Sequence, residues 1–244
     1  HMKLSTDRIL TTHVGSLPRP PTLYDLLVAE ERGEEHDSDA LRACTTSAVN
    51  EVVGKQVACG IDSVSDGDMG KISYTFYVRH RLANISPSQP PGAEPPNEGA
   101  NQDIIDHPDF AERVAKERSG WALSFGRPWV IGPVSYDNHD PLRRDIANLK
   151  GALSHNMSSE GFMTAASPGV LSKFVPDDYY KDEDAYIDAM ASAMKIEYEA
   201  IYAAGLVLQI DCPDFGSARH NQYKHLSDDE FLKIAFRNME AVNA

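Results

Sequence analysis

Two segments of the chain place an aspartate six residues after a glycine, at the end of a short apolar run. Gly60 leads to Asp66, with Asp68 close behind it, and Gly205 leads to Asp211. A glycine that ends a helix, followed by a buried strand with a carboxylate at its C-terminal end, is typical of a parallel βα barrel. The C-terminal strand ends of such barrels form the active site. We therefore interpret these acids as candidates for binding a cationic group or for proton transfer.

Alternating strands and helices must position these acids. β-prone or apolar runs predict strands at residues 9–14, 62–65, 129–131, 161–166 and 206–211. Apolar residues at helical spacing predict helices at about 38–59, 140–153, 184–204 and from 228 onward. Ser38 or Asp39 is the expected cap of the first helix, and Ser227 opens the last with a capping box. The predicted class is α/β, an incomplete (β/α)8 TIM barrel of about five βα units.

The five predicted units do not close a barrel, which needs eight strands. Residues 1–244 are therefore interpreted as one partial barrel domain, with residues 1–2 a cloning scar and residues 86–102 a long proline-rich loop. An open sheet of five strands would leave a parallel edge exposed. The chain is either a smaller open α/β sheet or, in our preferred interpretation, part of a longer polypeptide.

The composition excludes several classes of protein. With 37 acidic and 23 basic residues, the formal net charge is -14, and no basic stripe exists to bind nucleic acid. No apolar run reaches the roughly 18 to 20 residues of a membrane span, and no secretory signal is recognised. The three cysteines are odd in number and widely spaced, which is typical of a reduced, cytoplasmic protein.

Four motifs, in order along the chain, resemble the cobalamin-independent methionine synthase family. They are TTHVGSLPR at residues 11–19, GID at 60–62 with DGDMGK at 66–71, IGPV at 131–134 and LQID at 208–211. The likeness is greatest to short single-barrel relatives, a group that includes the epoxyalkane:coenzyme M transferases, and it covers the N-terminal portion of a catalytic barrel. It implies a role in methionine biosynthesis: a methyltransferase moving an alkyl group, usually methyl from a folate, to a zinc-bound thiol such as homocysteine.

The resemblance also implies which residues bind the amino-acid end of homocysteine. Val14 and Ser16 would offer main-chain and hydroxyl contacts. Asp68 falls where the synthases place a glutamate that holds the substrate ammonium, and Asp211 falls on their second ammonium-binding acid. Two anions and a set of donors suit a zwitterionic ligand.

Two further residues are candidates with an alternative reading. Asp66 either touches the ligand or caps a loop. His13 either reaches the barrel mouth or is a hydrogen-bonded packing residue. Asp62 is interpreted as a turn residue.

The zinc ligands of the family have no counterpart in this sequence. They are a His-x-Cys pair, an acid and a further cysteine, and the resemblance implies that they follow residue 244. Cys212 is interpreted as a small buried residue, because a lone cysteine makes a poor zinc site. The chain alone is expected to be inactive, or to depend on a second polypeptide or on self-association to complete the barrel.

Two other functions remain open. One is a metal-free lyase or decarboxylase that uses Asp66, Asp68 and Asp211 for proton transfer. Such an enzyme should bring arginines to its site, and the candidates are Arg19, Arg79 and Arg81. The other is a non-catalytic truncated barrel that binds a small amino acid.

Overall fold

A computed structural model describes residues 2–94, 102–117, 126–157 and 160–244. Its contacts divide the chain into two compact units. Unit 1 comprises His1–Arg81, Asp137–Ala165 and Lys195–Ile210, and unit 2 comprises Leu82–Tyr136, Ala166–Met194 and Asp211–Ala244. Each unit is therefore assembled from stretches that lie far apart in the sequence.

The described residues form short strands separated by one or two helices. The strands are β1 (Ile85–Ser86), β2 (Trp129–Val130), β3 (Phe162–Ala166) and β4 (Val207–Asp211). The helices are α1 (Pro21–Arg32), α2 (Ser38–Ala58), α3 (Gln102–Asp106), α4 (Pro108–Glu117), α5 (Asp140–His155), α6 (Pro168–Phe174), α7 (Glu183–Ala203), α8 (Asp214–His220) and α9 (Asp228–Asn243), with a 3-10 helix at Phe76–His80. No helix among the described residues is both long enough and apolar enough to span a membrane.

Unit 1 contains a series of parallel pairings. Thr12 pairs with Ser63, and Val64 pairs with Gly161 at the start of β3, in each case in parallel. The pairing order follows the order along the chain, as it does for successive strands of a (β/α)8 barrel.

The β3–β4 pair extends this series. The N–H of Val207 donates to the carbonyl of Gly161, and the N–H of Ser167 donates to that of Asp211, both at 3.0 Å. Because both bonds advance along the two strands together, β3 and β4 run in the same direction. The strands predicted at 161–166 and 206–211 are thus confirmed to within one residue.

Glycines end the helices that precede two of these strands. Gly60 after α2 and Gly205 after α7 both have φ of 80°. Their N–H groups donate to Val57 and Tyr202, each at 2.9 Å. Glycine adopts this left-handed conformation without the Cβ penalty, so the helix can stop and the chain can turn into the strand.

α2 and α5 enclose part of the unit 1 core. Val49, Val53 and Leu149 are almost fully buried, as their helical spacing predicts. The cap of α2 differs from the prediction of Ser38 or Asp39. It is Asp37, whose carboxylate accepts from the N–H groups of Asp39 and Ala40, because that position precedes the first helical turn.

Two predicted strands differ in the structure. The segment predicted at 9–14 forms only the Thr12 pairing, and Ile9 is 85% exposed, so most of it has no buried face. The strand predicted at 129–131 forms as β2, but it pairs antiparallel with β1 and does not belong to the parallel series. The proline-rich segment predicted as a loop begins in β1, ends at the start of α3, and its residues 95–101 lie outside the described residues.

Unit 2 packs α6, α8 and α9 together through a buried polar contact. The carboxylate of Asp214 accepts from Ser167 Oγ at 3.1 Å and from Asn238 Nδ2 at 2.9 Å. Ser227 and Glu230 form the predicted capping box of α9. The buried face of α9 is formed by Phe231 and Asn238, whereas Met239 is 41% exposed.

Candidate functional site

A tight turn places Asp68 after the second parallel segment of unit 1. Gly67 and Asp68 are both left-handed, with φ of 62° and 55°. Aspartate tolerates this conformation better than most residues, and here the Asp66 carboxylate accepts from the Asp68 N–H at 3.0 Å. The carbonyl of Gly67 in turn accepts from the N–H of Leu17 at 3.0 Å, which ties the loop after Thr12 to this turn.

The carboxylate of Asp68 is held by three donors. Ser16 Oγ donates to Oδ2 at 3.0 Å, and Thr164 Oγ1 in β3 donates to Oδ1 at 3.0 Å. Lys71 Nζ lies 3.5 Å from Oδ1. Arg19 donates to the main-chain carbonyls of Asp68, at 2.7 Å, and of Lys71. Two loops and a strand of the parallel series therefore meet at this carboxylate.

Lys71 continues the contacts into the core. Its Nζ donates to the carbonyl of Thr164 at 3.0 Å and lies 4.7 Å from the ring centre of Tyr77. The guanidinium of Arg81 lies 4.5 Å from the same centre. Cations over an aromatic ring are attracted by its quadrupole, so Tyr77 stabilises both.

Arg81 joins two acids that come from different helices. It forms ion pairs with Asp145 of α5 and, at 2.8 Å, with Glu197 of α7. Tyr77 Oη donates to Glu197 at 2.8 Å. Arg81 is 3% exposed and Glu197 is fully buried. We call Asp66, Asp68, Lys71, Tyr77, Arg81, Asp145, Thr164 and Glu197 the buried network.

The protonation states follow from this packing. Burial raises the pKa of Asp66 to about 6; the Lys71 ammonium opposes this rise, and the carboxylates of Asp68 and Asp145 add to it. Burial also acts to raise the pKa of Asp68, but Lys71 and the hydrogen bonds from Thr164 and Ser16 outweigh it and lower that pKa. Burial acts to lower the pKa of Lys71, but the Asp68 and Asp66 carboxylates outweigh it and raise it. Asp68 and Lys71 are thus a charged pair at neutral pH.

A polar cavity of about 260 Å³ adjoins the buried network in unit 1. Lys71, Tyr77, Arg81 and Asp145 form one part of its wall, and Arg144 forms another.

The remaining predicted site residues lie in different surroundings. Val14 is 64% exposed, so its main chain is accessible. His13 Nε2 lies 2.9 Å from the carbonyl of Gly15, a local contact. Asp62 accepts from the N–H of Thr11 at 2.8 Å and pairs with Arg8, so its contacts join it to the N-terminal segment.

Asp211 belongs to unit 2. It is half-buried, and its carbonyl accepts from the N–H of Ser167. Burial raises the pKa of the neighbouring Cys212 thiol, opposed by a hydrogen bond with Ser167 and assisted by the Asp214 and Asp211 carboxylates. A thiol with a raised pKa is a weaker metal ligand and nucleophile, which favours the reading of Cys212 as a packing residue.

Sequence reasoning missed most of the buried network. Lys71 lies in the DGDMGK motif, which by itself indicates no role for it. No motif marks Thr164, Tyr77 or Asp145. Glu197 carried a usable signal, because it occupies an inward position among the apolar residues of α7. A charged residue is rarely buried without a partner, so its position predicts a buried cation nearby.

The fit of the described residues to a zinc ion can be tested directly. Within the described part of the chain, no three His, Cys, Asp or Glu side chains are grouped so that they could hold a metal. Cys44, Cys59 and Cys212 form no disulfide. These residues do not supply the zinc site that the resemblance implies.

Two curated methionine synthases are similar to this chain in sequence. The protein from Sulfolobus acidocaldarius is 24% identical over 205 residues, which cover 83% of this chain and 51% of the relative. The protein from Sulfurisphaera tokodaii is 22% identical over 205 residues with the same coverage. The chain thus spans about half the length of the curated relatives it matches. No family profile matches it.

Two solved structures share its fold. A B12-independent methionine synthase from Shewanella sp. W3-18-1, in complex with selenomethionine, superposes with a TM-score of 0.64 at 19% identity, over 95% of this chain and 57% of that one. A putative vitamin-B12 independent methionine synthase from Listeria monocytogenes gives 0.54 at 20% identity, over 84% and 53%. The sequence and structure comparisons together confirm the resemblance of this chain to the cobalamin-independent methionine synthase family.

Proposed function

We propose that this chain is the N-terminal portion of the catalytic barrel of a thiol alkyltransferase of the cobalamin-independent methionine synthase type. One observation carries the proposal. Ser16, Asp68 and Thr164 come from three neighbouring members of a parallel series, and their side chains meet at one carboxylate. In barrels, such convergence after strand ends is where substrates bind.

In this proposal the described residues bind and orient the polar end of a small thiol. The exposed main chain at Val14 would contact its carboxylate, and so would Ser16 Oγ once its O–H turns from Asp68 toward the ligand. Asp211 stays a separate candidate in unit 2. Homocysteine is the acceptor that the resemblance implies, and a folate is the implied methyl donor. A zinc ion, when bound, would deprotonate the acceptor thiol. Its ligands would come from sequence other than the described residues.

The proposal includes a partner and a compartment. A second polypeptide or a second copy of the chain would complete the site, and the enzyme would work in the cytoplasm. Analytical ultracentrifugation of the purified chain should show that it self-associates or that it binds a polypeptide carrying the remaining barrel segment. A chain that stays monomeric and does not bind such a polypeptide would contradict this part of the proposal.

The lyase alternative requires arginines that can bind an acidic substrate, and two of the three candidates are already paired with carboxylates. Arg79 pairs with Glu31, and Arg81 pairs with Asp145 and Glu197. These guanidinium groups are engaged by the chain's own carboxylates, so an acidic substrate would have to displace those partners.

Isothermal titration of the full chain with small thiols tests the proposal. The probes are L-homocysteine and 4-mercaptobutanoate, which is the same thiol without its ammonium, both kept reduced. Ser16→Ala should weaken binding of the better probe by about tenfold, because a hydrogen bond to a charged group is lost. The matched control is Ser38→Ala at the start of α2, which should leave binding unchanged. The proposal is overturned if neither of the two thiols binds.

A further inference from the structure

Lys71 already provides an ammonium to the acid that the resemblance assigns to a substrate ammonium. Its Nζ lies 3.5 Å from Asp68 Oδ1, and the two side chains are only 2% and 5% exposed. The other two donors, Ser16 and Thr164, take one position on each carboxylate oxygen. A carboxylate offers about four lone-pair sites, so three of them are occupied within the chain.

Asp68 has its counter-ions without a ligand. The cations of Lys71 and Arg19 both interact electrostatically with Asp66 and Asp68. Asp145, which also acts on Asp66 and Lys71, is paired with Arg81. The negative charge of Asp68 is therefore already offset within the chain, which weakens its attraction for a substrate ammonium.

Displacing Lys71 would be costly. Its Nζ also donates to the carbonyl of Thr164 at 3.0 Å and lies over the Tyr77 ring. A substrate ammonium that took its place at Asp68 would leave that carbonyl without this donor and a buried ammonium without its counter-ion. Buried groups that lose their partners are strongly unfavourable.

We propose that Lys71 determines the acceptor specificity of this site: it fills the ammonium position at Asp68, so the acceptor is a mercaptocarboxylate without an α-ammonium group. This inference rests on the proposed function and narrows its acceptor. Asp68 then acts as a positioning residue, which holds the Ser16 hydroxyl and Thr164 in place.

The first test compares two ligands on the unmodified full chain. Isothermal titration should show that 4-mercaptobutanoate binds at least as tightly as L-homocysteine, because Lys71 already supplies the ammonium at Asp68. Homocysteine binding more than about tenfold tighter would overturn the inference while leaving the proposed function in place. Absence of binding by both thiols would overturn both.

A second test uses Lys71→Met, with the exposed Lys55→Met as its matched control. Removing the Lys71 ammonium should shift the affinity ratio toward homocysteine by about tenfold, because the ligand ammonium can then occupy the vacated position. An unchanged ratio would overturn the inference. Carbon-13 NMR of the Asp68 carboxyl in the unmodified chain avoids any folding defect of the variant. Its signal should stay fixed when homocysteine is added, and a shift specific to homocysteine would count against the proposal.

Discussion

The hydroxyl of Tyr77 donates a 2.8 Å hydrogen bond to Glu197, and the ring that carries it has Lys71 and Arg81 over it. The two cations repel each other electrostatically. The ring of Tyr77 attracts both cations, and its hydroxyl donates to Glu197, the acid that pairs with Arg81. Tyr77 therefore contacts both the Asp68–Lys71 pair, through Lys71, and the ion pairs of Arg81, through Arg81 and Glu197.

Tyr77→Phe keeps the ring and removes only the hydroxyl. Glu197 loses one donor in a fully buried position, so the free energy of unfolding should fall by about 1 to 3 kcal/mol. Urea denaturation followed by circular dichroism measures it. Tyr202→Phe is the control, because Tyr202 is 78% exposed and its replacement should have no measurable effect. Equal effects of the two changes would contradict a special role for Tyr77.

Arg81→Met should be the most damaging single change in unit 1. It leaves Asp145 and Glu197 without their shared cation, and removal of one partner of a buried ion pair costs about 3 to 5 kcal/mol. Arg143→Met removes a guanidinium that is 72% exposed and should change stability by less than about 1 kcal/mol. Thermal denaturation compares the two, and a similar loss from both would be inconsistent with the network.

Gly70 and Gly151 give opposite predictions for the same substitution. A Cβ at Gly70 would lie 2.9 Å from Asp145 Oδ1 and 3.3 Å from Thr45 Cγ2, so Gly70→Ala should displace Asp145 and destabilise the protein. Gly151 lies inside α5, where an added Cβ would have no neighbouring atom within 4 Å, and Gly151→Ala should stabilise the protein by about 0.5 to 1 kcal/mol. Chemical denaturation of both variants measures the change in the free energy of unfolding. Stabilisation by Gly70→Ala would show that the contact between position 70 and Asp145 is not tight.

Asp66 should make stability depend on pH in a defined window. Its pKa is raised to about 6 in the folded protein, mainly by burial, and lies near 4 in an unfolded chain. Between these values the folded state holds a proton that the unfolded state has lost, so this group lowers stability as pH rises.

Asp66→Asn removes this titration and keeps an acceptor for the Asp68 N–H. The stability of the variant relative to the unmodified chain should therefore rise between about pH 4 and pH 6, by at most roughly 3 kcal/mol. Urea denaturation across this range measures the difference. It should persist in 1 M salt, because burial is screened less than surface charge. A flat difference, or one that disappears in salt, would show that Asp66 is not the titrating group.

The local pattern predicted those parts of the fold that local chemistry determines. Gly60 and Gly205 end their helices in left-handed conformations that do not depend on the rest of the fold. Ser227 and Glu230 form a helix cap within four consecutive residues. The sequence predicts no helix before residue 38, because prolines such as Pro20 and Pro21 are also typical of a loop. Proline suits the first turn of a helix, where its missing N–H is not needed, and Pro21 is the first residue of α1.

The partner of a strand, by contrast, is a long-range property. Trp129 and Val130 have the predicted extended conformation, but nothing in their own sequence selects the antiparallel partner Ile85–Ser86. The candidate site also combines features set by local sequence with features set by long-range packing. Asp68 could be identified from its position after a strand, whereas its pairing with Lys71 and Thr164 depends on how three segments pack.

The composition of unit 1 from three separate stretches has a consequence for biosynthesis. Arg81 ends the first stretch, and Glu197 lies in the third, more than one hundred residues later. At about 5 to 20 residues added per second, Arg81 leaves the ribosome roughly 6 to 23 seconds before the acid that completes its pairing. Unit 1 therefore cannot reach its final packing during most of its own translation. A pause or a proteolytic cut before Glu197 would leave the first stretch without that partner and open to degradation.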